Sequence, residues 1–401
     1  MEIRNFKIMS LFSSSGSSYL GVDFDLHSVK IVELKNEKGR PRLINYGYYD
    51  HDLERKVSEK DENVGRETSA LIREIHKKAG MSSKVVVSAL PAYSVFSSII
   101  TLPGLAKKDL ANAVKWEAKK VIPLPLDDMI LHWDILAEES EQKKETESKI
   151  TRVESTNPDV DSSRRQEPGG EGFFQKGKIS QISQKKDTEQ IRVLLTAAPK
   201  DLVNRYIEIF KNTGFALVSL DTESFALIRS LVGNDPSTVM VVDMDYSVTN
   251  ISVIQNRIPY LNRSINIGGI TITRAIAASL NINMKRAEQF KYDIGVMPEG
   301  GTENEIPKTI ESVISPIIDE IKYSVNIFKT QGRENIDKII LTGGSSLLPN
   351  LPRYISKILN MRVYLGDPWA RVIYPEELKP ALAEVGPRFS VAIGLAMKEI
   401  R

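Results

Sequence analysis

Residues 22–34 read VDFDLHSVKIVEL, and about 220 positions later residues 242–254 read VDMDYSVTNISVI. Aligned without a gap, Val22 meets Val242, Asp23 meets Asp243, Asp25 meets Asp245 and Ile31 meets Ile251. Phe24 and Met244, and Leu34 and Ile254, pair as apolar residues. Each stretch reads as a strand ending in Asp, a short turn and a second strand. The echo therefore points to a duplicated domain whose halves each open on an Asp-bearing β-hairpin. A sharp turn after such a strand exposes consecutive backbone N–H groups in a concave nest suited to phosphate oxygens. The Asp at the strand end is placed to hold a magnesium-bound water. Two hairpins facing each other would clamp the phosphates of a nucleotide. Asp is also a common turn residue, so two ordinary hairpins are an equal reading of the pair taken alone.

A third element tips that balance. Residues 339–349, IILTGGSSLLP, run a buried strand into a Gly-Gly-Ser turn ahead of a helix. Adjacent glycines let the backbone approach a flat ligand closely. Around these three elements, strands are expected at Tyr19–Phe24, Val29–Leu34, Leu43–Tyr49, Lys84–Leu90 and Val95–Leu102. Helices are expected at Glu67–Ala79, Lys107–Val121, Lys200–Asn212 and about Ile310–Gln331. Interleaved strands and helices indicate an α/β fold, and hairpin spacing in two places indicates mixed sheets.

The chain has 401 residues, 41% hydrophobic and 26% charged, with a net charge of +2 and no cysteine. The balanced charge argues against a general nucleic-acid binder. Lack of cysteine excludes disulfides, thiolate metal sites and a cysteine nucleophile. No apolar run approaches the roughly 18 residues of a membrane span, and the N-terminal apolar stretch is too interrupted for a signal peptide. The expectation is a cytoplasmic protein, or one held at a membrane only through a partner. Residues 138–190 are dense in both charge signs, Ser, Gln and Gly. Such a segment cannot offset its ordering entropy, so it reads as a disordered insert between two hairpin partners, Ile130–Leu136 and Ile191–Ala197.

The motifs SALPAYSVFSSIITLPGL (88–105), WEAKKVIPLPLDDMILHWDIL (116–136), LLTAAPKDLVNRYIEIFKNTGF (194–215), NRSINIGGITITRAI (262–276), AEQFKYDIG (287–295), LTGGSSLLPNL (341–351) and SVAIGLAM (390–397) complete the pattern. With the first hairpin they resemble the PilM family, actin-like proteins of type IV pilus assembly within the actin, FtsA and Hsp70-like ATPase superfamily. The run IPLPLDD is the most family-specific part. The resemblance implies an actin-like duplicated α/β fold, two mixed-sheet halves around a nucleotide cleft, and an FtsA-type small subdomain. The expected layout is a flexible tail at 1–18, a first-half core at 19–84 and 216–237, an inserted subdomain at 85–215 and a second half at 238–401.

The resemblance also implies ATP with Mg2+ as ligands. Asp23 and Asp243 become the catalytic, metal-side carboxylates, the second also positioning water. Ser28, Lys30 and Thr249 fall where they could reach phosphate oxygens, though Lys30 equally reads as a solvated strand residue. Gly268 and Gly269 precede a helix whose N-terminus could receive phosphate; a tight turn is the plain alternative. Glu288 and Lys291 match a stretch near ribose and base, or form a surface i,i+3 ion pair. Gly343, Gly344 and Ser345 match the adenosine loop. Family members usually carry glycine where Asp25 and Asp245 stand. Two like charges a few Å apart repel by roughly 4 kcal/mol at an effective dielectric near 20, so the implied behaviour is nucleotide binding with slow hydrolysis. Trp116 reads as a core anchor beneath the small subdomain, or as an aromatic of a partner groove.

The implied partner is a PilN-like membrane protein, whose cytoplasmic N-terminal peptide would lie in a groove between the first-half core and the small subdomain. PilO and the pilus motor ATPases would be indirect partners, with the chain peripheral to the inner membrane. An FtsA-like filament or division protein is the alternative, set back because the sequence stops directly after the helix that follows the adenosine loop. A sugar-kinase-type phosphotransferase would need an acceptor domain and a base that the sequence does not offer.

Overall fold

The computed structural model describes residues 4–6, 17–53, 62–105, 107–136, 190–296, 305–333 and 335–400. It divides into two compact units: Met1–Ser97 with Leu124–Ile130 and Ala197–Arg401, and Ser98–Pro123 with Leu131–Thr196.

The first unit carries two sheets. The strands are β1 (Arg4–Phe6), β2 (Ser18–Phe24), β3 (Ser28–Glu37), β4 (Arg40–Asp50) and β5 (Val85–Leu90). Further along the chain come β6 (Phe96–Pro103), β7 (Met129–Leu136), β8 (Gln190–Pro199) and β9 (Ala216–Thr222). The last five are β10 (Val239–Met244), β11 (Thr249–Gln255), β12 (Ile258–Ile265), β13 (Lys338–Thr342) and β14 (Val363–Leu365). One sheet runs β1-β4-β3-β2-β5-β9 and the other β12-β11-β10-β13-β14. Set side by side, β4-β3-β2-β5-β9 and β12-β11-β10-β13-β14 have one topology. In each, three antiparallel strands continue into two parallel ones. The sequence echo is thus a structural duplication, down to the register: Val22 faces Ile31 in the first hairpin and Val242 faces Ile251 in the second.

The strands of both hairpins are buried on both faces, with their apolar residues shared between different clusters. Val22 and Ile31 are buried on one sheet with Leu20, and pack with Leu71, Ile72 and Ile75 of the helix Glu62–Ala79. The helix Lys200–Thr213 joins that cluster through Tyr206, Ile209 and Phe210. In the second sheet Val242, Ile251 and Leu341 pack with Ile310, Ile314 and Ile317 of the helix Glu305–Thr330. Apolar residues at this helical spacing form the buried stripe.

Three expectations of layout are corrected. The tail expected at 1–18 contributes β1, antiparallel to β4. The inserted subdomain expected at 85–215 is too wide: β5 lies between β2 and β9 in the six-stranded sheet, and Lys200–Thr213 belongs to the first unit's core. The second half expected at 238–401 is also too wide. Trp369, Phe389, Ala392 and Ile393 share a core with Val32, Leu34, Leu43 and Tyr46 of β3 and β4. Two glycines make that crossing possible. A Cβ on Gly21 of β2 would overlap the Ala392 carbonyl, and one on Gly394 would overlap the Ala226 carbonyl.

The second unit is built on the three-stranded sheet β6-β8-β7 and the helix Lys107–Val121. Leu110, Val114 and Ala118 form that helix's buried stripe. Trp116 lies two residues past Val114, about 200° around the helix. It is 69% exposed, with Lys119 Nζ 5.2 Å from its ring centroid. The core-anchor reading of Trp116 is therefore wrong. Of the expected insert at 138–190, all but Gln190 lies outside the described residues.

Candidate functional site

The duplicated register sets the chemistry of the site. In β2–β3 the partner of Asp23 is Lys30; in β10–β11 the partner of Asp243 is Asn250. One Asp therefore faces a cation and the other an amide. Lys30 Nζ donates to Asp23 Oδ2 at 3.0 Å and lies 3.9 Å from Asp245 Oδ1. Burial works against its charge, but the carboxylates of Asp23, Asp245 and Asp25 prevail and hold the ammonium pKa well above its ordinary value. Lys30 is only 5% exposed, which rules out the solvated-strand reading.

Asp243 has no such counter-ion. Its Oδ2 is buried without a hydrogen-bond partner. Burial, and then the charges of Asp245 and Glu223, push its carboxyl pKa well above the usual range. Glu223 is a site residue that sequence reasoning missed. It opens the short helix Glu223–Leu227, directly after β9, and its Oε2 accepts from Ala92 N at 2.8 Å and from Asn250 Nδ2 at 3.3 Å. Burial and the Asp23 charge raise its pKa well above normal. In the sequence, Asp221-Thr222-Glu223 reads as a helix start, and nothing local marks Glu223 as facing the hairpins.

The two turns are not equivalent. In the first, Asp25 Oδ1 accepts from His27 N at 2.5 Å and from Ser28 N at 2.7 Å, while Ser28 Oγ donates to Oδ2 at 3.1 Å. In the second, Asp245 turns its carboxylate toward Lys30, and burial pushes its pKa up to about 6 against the opposing pull of that ammonium. Across the gap the rings of His27 and Tyr246 stack, with centroids 4.1 Å apart. The electrostatic clash expected from two turn carboxylates is thus relieved by a self-capped turn on one side and by Lys30 on the other.

Other expected phosphate contacts are engaged elsewhere. Thr249 Oγ1 donates to Ile267 O at 2.7 Å. Gly269 N and Ile270 N donate to Asp245 O and Tyr246 O at 3.0 and 2.9 Å, so the N-terminus of the helix Gly269–Leu280 caps the second turn. Gly268 and Gly269 allow that approach: a Cβ on Gly268 would lie 2.6 Å from Asp245 O. The tight-turn reading of this pair is the one the structure supports.

The opposite end of the site is open. Gly343, at φ 82°, turns the chain after β13, and a Cβ there would lie 2.6 Å from Asp243 Oδ1. Ser345 Oγ donates to Asp245 O at 2.9 Å. Lys291 Nζ donates to both Glu288 oxygens, at 2.9 and 2.8 Å, and to Thr273 Oγ1 at 3.0 Å. Lys291 is 2% exposed, so this is no surface ion pair; burial lowers its pKa while Glu288 opposes the shift. Tyr292 Oη donates to Gly344 O at 3.3 Å, and Arg388 pairs with Asp50 at 2.5 Å beside Gly344. Gly344, Ser345, Lys291, Glu288, Tyr292, Arg388 and both turns line one cavity of about 560 Å3, while Gly343 lies behind its wall. The Gly-Gly turn, the Lys291–Glu288 pair and the cavity volume fit a nucleoside. Magnesium fits less well. Among the described residues no group of three or more His, Asp or Glu side chains is arranged to hold a metal. Asp23 is engaged by Lys30, and Asp243 leans to its neutral acid. The expected roles of Asp23 and Asp243 as metal-side ligands do not fit this geometry.

Residues 21–163 and 178–400 match the family described as "Type IV pilus assembly protein PilM". The cell division protein FtsA of Enterococcus faecalis is 23% identical over 374 residues, covering 87% of this chain and 78% of that protein. FtsA of Neisseria meningitidis is 29% identical over 178 residues, 39% of this chain and 41% of its own. Among solved structures, the PilM-PilN type IV pilus biogenesis complex superposes with a TM-score of 0.73 at 23% identity, covering 96% of this chain and 98% of that one. The ethanolamine utilization protein EutJ from Carboxydothermus hydrogenoformans follows with a TM-score of 0.52 at 14% identity, covering 98% of this chain and 92% of that one. The fold is the actin-like ATPase fold, with two mixed sheets in related halves.

Proposed function

The chain belongs to the family of type IV pilus assembly proteins PilM, and we propose that it works in pilus assembly as an actin-like scaffold whose cleft takes an adenine nucleotide. One observation carries the nucleotide reading. Two duplicated Asp hairpins, the Lys291–Glu288 helix and the Gly343–Gly344 turn, far apart in sequence, converge on one cavity of about 560 Å3. Nucleotide acts as a conformational ligand: it biases the two halves by its differential affinity for their arrangements.

Turnover in this reading is slow or absent. A general base has to be deprotonated at working pH. Asp243 and Glu223 are pushed toward their neutral acids, and Asp23 is tied to Lys30. The partner is a PilN-like protein docked through its cytoplasmic N-terminal peptide, which would hold the chain at the inner membrane; PilO and the motor ATPases are reached indirectly. The solved PilM-PilN complex among the structural neighbours supports this choice of partner. Among the described residues no helix is long and apolar enough to cross a membrane, in keeping with attachment through a partner. The second unit is the inserted small subdomain of this scheme.

Calorimetric titration of the full chain with adenine nucleotides, and separately with the cytoplasmic N-terminal peptide of a PilN-type protein, tests both parts. Micromolar binding in each is expected, with phosphate release near background. A second reading, an FtsA-like filament former, is favoured by the FtsA match over 87% of the chain. Nucleotide-dependent sedimentation of polymers, without peptide binding, would select it.

A further inference from the structure

We propose that Asp25 is a tethered anion that fills the anion-holding turn between β2 and β3, so that the cleft selects adenine nucleosides bearing few or no phosphates over adenosine triphosphate. The inference rests on the nucleotide reading above and narrows its ligand class.

A turn that presents successive backbone N–H groups binds an anion through them. Here the anion is already supplied. His27 N and Ser28 N both donate to Asp25 Oδ1, and Ser28 Oγ donates to Oδ2, so one carboxylate holds three donors at 2.5, 2.7 and 3.1 Å. A phosphate oxygen would have to displace it. The displaced carboxylate would then lie in the same cavity as the phosphates.

The rest of the cavity offers a polyanion little in exchange. Each Lys or Arg side chain lining it already has a carboxylate partner: Lys30 with Asp23, Lys291 with Glu288 and Arg388 with Asp50. Breaking one of these pairs leaves an uncompensated carboxylate behind. Asp243 does not line the cavity and adds no cation to it. The nucleoside end differs. Gly344 has only the Arg388 side chain, 3.5 Å from a built Cβ, beside it, and Tyr292 Oη lies against its carbonyl. A neutral nucleoside can occupy that end without disturbing Asp25 or the three ion pairs.

The test is calorimetric titration of the full chain with adenosine, AMP, ADP and ATP, with divalent metal chelated. Wild-type protein is expected to bind adenosine or AMP best and ATP at least tenfold more weakly. Asp25→Gly is expected to raise ATP affinity at least tenfold and to leave adenosine within twofold. Asp25→Asn keeps an acceptor for the turn but drops the charge, so it falls between the two and guards against a misfolded glycine variant. The inference is overturned if wild type prefers ATP to adenosine, or if both variants fold and leave ATP affinity unchanged. If adenosine and all three nucleotides fail to bind folded wild type and folded variants alike, the nucleotide reading itself fails and this inference with it. An adenosine signal without the ATP penalty sinks the inference alone.

Discussion

Replacing Lys30 with Met removes one ammonium and little volume. The wild-type side chain is buried, 3.0 Å from Asp23 Oδ2 and 3.9 Å from Asp245 Oδ1. Its loss strands Asp23 in a low-dielectric pocket that also holds Asp243, Asp245 and Glu223. Removing one member of a buried ion pair is destabilising by about 3–5 kcal/mol. At about 2 °C per kcal/mol for a unit of this size, the melting temperature of the first unit should fall by about 6–10 °C at pH 7. Adding Asp23→Asn removes the stranded charge, and the double variant should recover more than half of the loss. The pH dependence follows in sign. Lys30's folded pKa is raised, so its own contribution is complete below the ordinary lysine pKa and is lost only as pH rises through the folded value. The loss at pH 7 is therefore not lysine titration. In the single variant Asp243, Asp245 and Glu223 lose the ammonium that opposes their raised pKa values, so the deficit should shrink as pH falls toward 5. Scanning calorimetry of the three proteins at pH 5 and 7 reads all of this. A fall below 2 °C at pH 7, or a double variant no better than the single, would refute the picture of Lys30 as the counter-ion of the cleft.

Asp245 has a folded pKa raised to about 6 from an ordinary 3.8, so its stabilising contribution is full below pH 3.8 and is lost as pH rises to about 6. Asp245→Asn should flatten that part of the stability profile in urea titrations run across this window. Glu223→Gln keeps the acceptor for Ala92 N and should be nearly neutral in thermal melts, whereas Glu223→Ala takes the acceptor from Ala92 N and from the buried Asn250 amide and should lose about 1–3 kcal/mol. Gly394→Ala drives a Cβ into the Ala226 carbonyl and should lose about 1–3 kcal/mol or more, measured as a shifted denaturant midpoint. Trp116→Ala should leave stability within about 0.5 kcal/mol, because the ring is 69% exposed; a larger loss by circular dichroism would restore the core-anchor reading.

The duplication was legible in the sequence because both hairpins are buried on both faces, so apolar residues recur at matching positions around the Asp at each strand end. The helix Lys107–Val121 was legible to the residue, since its stripe at Leu110, Val114 and Ala118 follows the helical period. The Gly343–Gly344 turn could be read from composition, as a positive φ after a buried strand calls for glycine. What tertiary structure alone decided was which polar groups meet. Lys30 reads equally as a phosphate contact or a solvated strand residue until β2–β3 register sets it opposite Asp23 and the second hairpin brings Asp245 within 3.9 Å. Glu223 could not be found at all, because its neighbours, Ala92 and Asn250, come from two other segments. Asp25 and Asp245 are twins in sequence, yet one closes its own turn and the other faces Lys30. The backbone pattern follows from local patterning of apolar and polar residues, which a sequence displays. The direction in which a carboxylate points depends on the charges packed around it, and those are assembled only when the two halves fold together.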